Sequence, residues 1–287
     1  MMLVTCTLQA QSYIRFDSDK NNRWADSILT TLTLEEKVGQ LLMPRGNVSG
    51  KPHDVEKLKM WVKDYKIGGI VFFAGPPSVQ ARISNELQAI SKIPLFIGED
   101  FEWGLAMRLD STDRFPYAMA LGAMKGNDQL IEAMGQEVGR QCRRMGVHIN
   151  YAPVVDVNNN IDNPVINFRS YGSDKEEVAR KGMAYVKGLQ SQNVIATAKH
   201  FPGHGDTRVD SHKDLPIIGH DSTRLHAVEL YPFKKLIDSG VAGIMTAHLD
   251  VPVLAKQEGI AATFSKAIVT DLLRSQMNFK GLTFTDA

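Results

Sequence analysis

The sequence predicts an α/β protein, a (β/α)8 TIM-type barrel truncated after its seventh strand, and three observations lead there. Seven short apolar runs rich in Ile, Val and Phe are separated by amphipathic stretches of helical period, the pattern of βαβ units around a parallel sheet. Asp100, His200, His248 and Asp286 each lie at the end of such a run, at the C-terminal strand ends from which barrel enzymes build active sites. The turn "MPRGNVSG" (43–50) after the first run is a poor match for the Gly-rich phosphate turn of a doubly wound sheet.

In chain order, "MMLVTCTLQAQS" (1–12) is apolar, free of charge until Arg15, and ends in small and polar residues around Ala10. It resembles the tail of a signal peptide whose basic start is missing, so the expected location is periplasmic or secreted. Thr5 is not the small residue that normally precedes a lipidated cysteine, which argues against a lipid anchor at Cys6. Residues 13–287 are read as one barrel domain whose C-terminal part is missing. In "TLTLEEKVGQLL", Thr33 and Glu36 form a capping box that opens a helix. Strands are expected at 39–45, 68–75, 93–100, 147–157, 193–201, 241–250 and 281–287. Helices are expected at 54–65, 78–91, 128–145, 175–191, 223–239 and 264–277, with Cys142 buried and unpaired in the third. Closure of such a barrel needs an eighth strand. The chain is therefore expected to be a piece of a longer gene product, poorly soluble or nearly inactive alone because unpaired strand edges invite association.

Hydrophobic content of 43% with 23% charged residues over 287 residues is ordinary for a globular protein. Net charge is +1, and no basic run interleaves with aromatics, so the footprint of a nucleic-acid binder is missing. No stretch after the leader is long and apolar enough to span a bilayer. The expected partner is uncharged or small; the oligomeric state is left open.

"KHFPGHGDTRVDSH" (199–212) holds three of the chain's eight histidines. His200 and His204 have the i, i+4 spacing of helical zinc sites. Pro202, Gly203 and Gly205 break any helix there, and no Glu follows the first histidine as in the H-E-x-x-H motif, so no metal is expected. Asp210 and His212 lie two apart, and in an extended segment both side chains project from one face. The aspartate can then hold one imidazole nitrogen and leave the other for proton transfer, near the ordinary histidine pKa of about 6.5. A polar loop without chemistry is the reading these fourteen residues alone leave open.

The stretch "KHFPGHGDT..DSH" resembles the signature of glycoside hydrolase family 3, specifically its β-N-acetylglucosaminidase branch. "LTLEEKVGQLLM" is similar to the family's opening helix and first strand, "GEDFEWGLAMR" to its Asp-x-Glu-Gly-Gly segment, "NYAPVVDV" to its fourth strand, "NFRSYG" to the arginine-bearing turn, and "GLTFTDA" to the strand that delivers the nucleophile. The resemblance implies a retaining exo-hydrolase that releases terminal non-reducing β-N-acetylglucosamine from glycans or peptidoglycan fragments. Asp286 would be its nucleophile and His212, backed by Asp210, its acid/base. Lys199, His200, Arg169, Asp100 and Arg108 would bind the terminal sugar's hydroxyls. No cofactor and no metal are implied. His248 is a candidate pocket residue by its strand-end position, His204 is read as ordering the loop, and His148, His220 and His226 as structural or exposed.

Retention requires a carboxylate on one face of C1 and a proton donor on the other. A histidine donor departs from the usual carboxylate pair, and a neutral imidazole does not repel an approaching anion. Since the family includes members that use phosphate in place of water, phosphorolysis of the same bond is the runner-up. The β-glucosidase branch takes its acid/base from a second domain and lacks the DSH loop. Asp286, Asp210 and His212 together stand against a catalytically silent carbohydrate-binding barrel. One departure is Phe101 and Trp103 in "DFEWG", where the commoner pattern has small or polar residues, so the rim of the sugar site is expected to differ.

Overall fold

The structure is a computed structural model and describes residues 23–47, 51–209 and 214–286. In chain order its elements are helices α1 (Arg23–Thr30) and α2 (Leu34–Gly39), strand β1 (Arg45–Gly46), α3 (Pro52–Asp64), β2 (Gly69–Phe72), α4 (Pro77–Ile90), β3 (Phe96–Glu99), α5 (Ala118–Gly122), α6 (Asp128–Met145) and β4 (Ile149–Asn150). There follow α7 (Lys175–Gln190), β5 (Ile195–Phe201), α8 (Ser222–Ala227), α9 (Leu230–Asp238), β6 (Gly243–Thr246), α10 (Pro252–Ala255), a π-helical stretch (Ala267–Gln276) and β7 (Leu282–Thr285). All seven strands are parallel and neighbour one another in sequence order from β1 to β7.

The sheet curls. Ile149 and Tyr151 at β4, Ile195 on β5, and Ala242 and Met245 at β6 form one cluster, against which Met43, Val71, Leu282 and Phe284 pack. The rings of Tyr151 and Phe284 meet edge to face at 5.4 Å, although two strands separate their own. Strands rolled toward a barrel bring such residues together across the interior. A Cβ at Gly98 on β3 would lie 2.5 Å from the Tyr151 hydroxyl, so glycine there is what admits the ring. The outer face carries the larger core, where residues such as Phe72, Ile97, Phe233 and Leu236 fill the space between sheet and helices. Burial on both faces explains why the strands read as continuous apolar runs.

Several boundaries differ from expectation. The capping box forms: Glu36 N–H donates to Thr33 Oγ1 and Thr33 N–H to the Glu36 carboxylate, each at 3.2 Å. The helix it opens runs to Gly39, and the N–H groups of Leu41 and Leu42 donate to the Val38 and Gly39 carbonyls. The first strand, expected over 39–45, is therefore displaced to Arg45–Gly46. The helix expected over 223–239 splits into α8 and α9 because Pro232, without an N–H, cannot donate to the Val228 carbonyl four residues earlier. The strand expected over 147–157 pairs only at Ile149–Asn150 and again at a bridge between Val154 and Lys199, with Pro153 between them. Cys142 is buried and unpaired, as read. Residues 1–12, read as a leader, lie outside the described residues. No helix among the described residues is long and apolar enough to cross a membrane.

Glu99, at the end of β3, is fully buried beneath α4 and accepts a hydrogen bond from Gln80 Nε2. Its Oε2 has no partner. Burial pushes its carboxyl up from 4.5 to about 8, the Gln80 bond and the Arg108 charge offsetting only part of this. The folded state then keeps a proton that the unfolded chain releases, so stability falls as pH rises from about 4.5 to about 8 and is flat beyond. Glu99→Gln should overtake the wild type across that window, by up to about 5 kcal/mol at 1.36 kcal/mol per pKa unit. Urea unfolding of both proteins at pH 5 and pH 8.5 measures this; a difference that is the same at the two pH values would show that Glu99 does not carry the proton.

Candidate active site

A cleft of about 660 Å³ opens at the C-terminal ends of the strands, and Asp100, Arg108, Arg169, Lys199, His200 and Asp286 line it. Its size falls within the usual range for small-molecule sites. Asp100 directly follows β3, and Arg108 follows a tight helical turn at Leu105–Met107. Arg169 closes a similar turn at Asn167–Arg169. Lys199 and His200 are successive residues of β5, which would normally face opposite sides; the register shift between Ala198 and Phe201 lets both line the cleft. Asp286 follows β7 and its N–H donates to the Thr246 carbonyl at 2.9 Å.

Behind the cleft surface these groups form one chain of alternating charge. Arg108 donates to Asp100, and Lys199 Nζ lies 2.7 Å from Asp100 Oδ1 and 2.9 Å from Glu102 Oε1. Arg169 grips Glu102 with two nitrogens, Nη2 at 2.7 Å from Oε1 and Nε at 3.0 Å from Oε2, the bidentate geometry of strong arginine–carboxylate pairs. Arg169 Nη2 is also 3.3 Å from His200 Nε2, and His200 Nδ1 is 2.7 Å from Asp156 Oδ2. Because an arginine can only donate, Nε2 accepts and the ring proton sits on Nδ1, facing Asp156. Burial would raise the carboxyls of Asp100, Glu102 and Asp156. Lys199 and Arg108 more than offset it at Asp100, Arg169 and Lys199 at Glu102, and His200 at Asp156, so all three sit below the usual range. Burial alone would lower Lys199, but Asp100 and Glu102 hold it above the ordinary ammonium value.

Glu102 and Asp156 were missed by the sequence reading, though both lie inside quoted motifs, "DFEWG" and "NYAPVVDV". Asp156 also accepts from the backbone N–H groups of His200 and His204, fixing the end of β5 and the loop after it. His204 is fully buried and its Nδ1 is 2.8 Å from Thr207 Oγ1, an ordering role. His248 is not among the cleft-lining residues; its Nε2 donates to the Asp286 carbonyl at 3.1 Å. Asp210 and His212 lie outside the described residues. Among the described residues, one group has metal-ligand spacing: Asp206, His220 and Glu229, with donor atoms within 4.8 Å of one another. The Arg224 guanidinium already stands 3.0 Å from Glu229 and 3.7 Å from Asp206, supplying the positive charge these carboxylates need. His148 Nδ1 accepts from the Ile97 N–H, and His226 is exposed beside Ser222.

Known proteins share this fold. The chain is 36% identical over 253 residues to beta-hexosaminidase A of Pseudoalteromonas piscicida, covering 80% of this chain and 42% of the relative. A solved family 3 beta-N-acetylglucosaminidase from Paenibacillus sp. str. FPU-7 superposes with a TM-score of 0.83 at 40% identity, over 89% of this chain and 49% of that one. The beta-glucoside phosphorylase BglX bound to 2FGlc gives 0.86 at 26% identity, over 92% and 48%. The chain thus spans about half the length of each. The model of the glycosyl hydrolase family 3 N terminal domain matches residues 33–287, nearly all the described chain and every strand of the curled sheet, and on that match the chain belongs to glycosyl hydrolase family 3.

Proposed function

We propose that this chain supplies the catalytic barrel of a retaining exo-β-N-acetylglucosaminidase. The observation that carries the reading is the convergence of Asp286 and the Asp100–Lys199–Arg169–His200 network on one cleft at the strand ends. The Asp286 carboxylate attacks C1 of the terminal sugar while His212, oriented by Asp210, gives its proton to the departing oxygen. Water then loses a proton to His212 and releases the sugar from Asp286, and two inversions leave the configuration unchanged. Asp100 accepts from sugar hydroxyls; Lys199, Arg169 and Arg108 donate to them. The residues of this mechanism need no metal or cofactor. Export to the periplasm or the medium rests on the leader-like N-terminus alone, and cell fractionation tests it.

A second reading, phosphorolysis, is favoured by the likeness to a beta-glucoside phosphorylase. Assay of the full-length protein on p-nitrophenyl β-N-acetylglucosaminide with and without phosphate separates the two: hydrolysis gives free sugar, phosphorolysis the sugar 1-phosphate. No turnover under either condition would sink both readings. The acid/base assignment has its own check. His212→Ala should lose roughly 10²–10⁴-fold where the leaving group needs a proton and much less on activated aryl glycosides, with Asp210→Asn a weaker version. Equal losses on both substrate types would mean that His212 binds or supports instead.

A further inference from the structure

The loop after β5 is joined to the start of α8 by charged side chains that the mechanism leaves unused. Two asparagines fix the first part of the loop: Asn163 Nδ2 donates to the His204 and Gly205 carbonyls at 2.8 and 3.0 Å, and Asn160 Nδ2 to the Thr207 carbonyl at 3.2 Å. Asp206, on this fixed part, meets His220, two residues before α8, with Oδ2 and Nε2 2.7 Å apart. A carboxylate only accepts, so Nε2 donates. Arg224 on α8 stands between two carboxylates, its Nη2 3.7 Å from Asp206 Oδ2 and 3.0 Å from Glu229 Oε1. Glu229 is the anchor: it is 3% exposed and also accepts from Asn159. The loop packs directly on it, because Gly203 has φ of 130° and a Cβ there would lie 2.8 Å from the Glu229 Cβ. None of Asp206, His220, Arg224 and Glu229 lines the cleft. An isolated surface ion pair contributes little, but this one is built on a buried carboxylate and joins residues 14 apart in the chain.

We infer that Asp206, His220 and Arg224 form a clamp that positions His212 for proton transfer. In the chain His212 lies between the clamped residues, six after Asp206 and eight before His220. The inference rests on the acid/base role proposed for His212 and adds what aims that imidazole. Glycines at 203 and 205 give the backbone wide freedom, so order has to come from side chains that join the two ends of the loop. Tying those ends together removes arrangements in which a proton donor between them is out of reach. The three are positioning residues: neither the sugar nor the transferred proton touches them.

The test measures kcat/KM of the full-length protein, which reports departure of the leaving group, on phenyl and p-nitrophenyl β-N-acetylglucosaminide. Phenolate is the stronger base and needs the proton; p-nitrophenolate leaves with little help. His220→Ala should lose from about tenfold to roughly 10²-fold on the phenyl glycoside, the cost of a donor misplaced by about 1 Å, and far less on the p-nitrophenyl one. His220→Gln, whose amide can still donate to Asp206, should recover most of the loss. Asp206→Asn, which keeps the shape and removes the charge, should show the same selectivity and carries the test if His220→Ala does not fold. In a His212→Ala background, His220→Ala should cost nothing further, because the group it aims is gone; such coupling separates positioning from general support. Equal losses on the two glycosides, no loss, or a full additional loss in the His212→Ala background would overturn the clamp and leave the catalytic reading in place. If His212→Ala itself loses equally on both glycosides, the acid/base reading falls and the clamp with it.

Discussion

Asp286→Ala is expected to lower turnover by roughly 10⁴–10⁶-fold, the scale seen when one member of a concerted catalytic set is removed, while the protein stays folded. The fold should survive because Asp286 is tied to β6 through its backbone, its N–H donating to Thr246 and its carbonyl accepting from His248; both bonds remain in alanine. On the proposed mechanism, removing the carboxylate leaves C1 without a nucleophile on the face opposite the leaving group. Azide added to the variant should occupy the vacated space and yield the α-glycosyl azide from an activated β-glycoside, which NMR of the product identifies. A variant that keeps most of its rate, or a β-configured azide, would show that another group attacks.

Glu102→Ala should be the most destabilising single change in the cleft. Glu102 is gripped by Arg169 and Lys199, and the three side chains are 5%, 17% and 3% exposed. Removing one partner of a buried ion pair costs about 3–5 kcal/mol, because the remaining charge is left without compensation. A domain of this size would melt roughly 10 °C lower. The sign with pH follows from the depressed carboxyl: the stabilisation is full above the ordinary glutamate range and is lost as pH falls through the folded value. The gap between wild type and Glu102→Gln should therefore be widest near neutrality and narrow in acid. Thermal unfolding at pH 7 and pH 4 reads this directly, and a gap that widens in acid would contradict it. Activity should fall with stability, since Lys199 and Arg169 lose the carboxylate that aims them.

Much of the site was legible because strand ends mark themselves. Asp100 and Asp286 follow apolar runs directly, and Lys199 and His200 close one, so the barrel pattern predicts that they share a face. The roles of Glu102 and Asp156 were not legible, because they depend on distant partners. Both lie inside motifs that carry the family resemblance, but the motifs alone do not say what the two carboxylates pair with; their partners Arg169 and His200 lie 67 and 44 residues away, and only the curl of the sheet joins them. The displaced first strand reflects a competition between signals: Leu41 and Leu42 look like strand residues, but the capping box sets a helix whose last carbonyls claim their N–H groups.

The alternating chain from Arg108 through Asp100, Lys199, Glu102 and Arg169 to Asp156 has three cations and three anions, and this has a consequence in solution. These charges sum to zero, and the two further charged side chains that line the cleft, Arg45 and Asp286, are of opposite sign, so the cleft carries little net charge. A counter-ion atmosphere with a Debye length of about 8 Å at physiological ionic strength finds almost nothing to screen. Electrostatic steering speeds the capture of charged ligands, whereas a neutral sugar, the substrate proposed above, would reach this cleft by diffusion alone. On that proposal, raising the salt concentration should leave its capture rate flat.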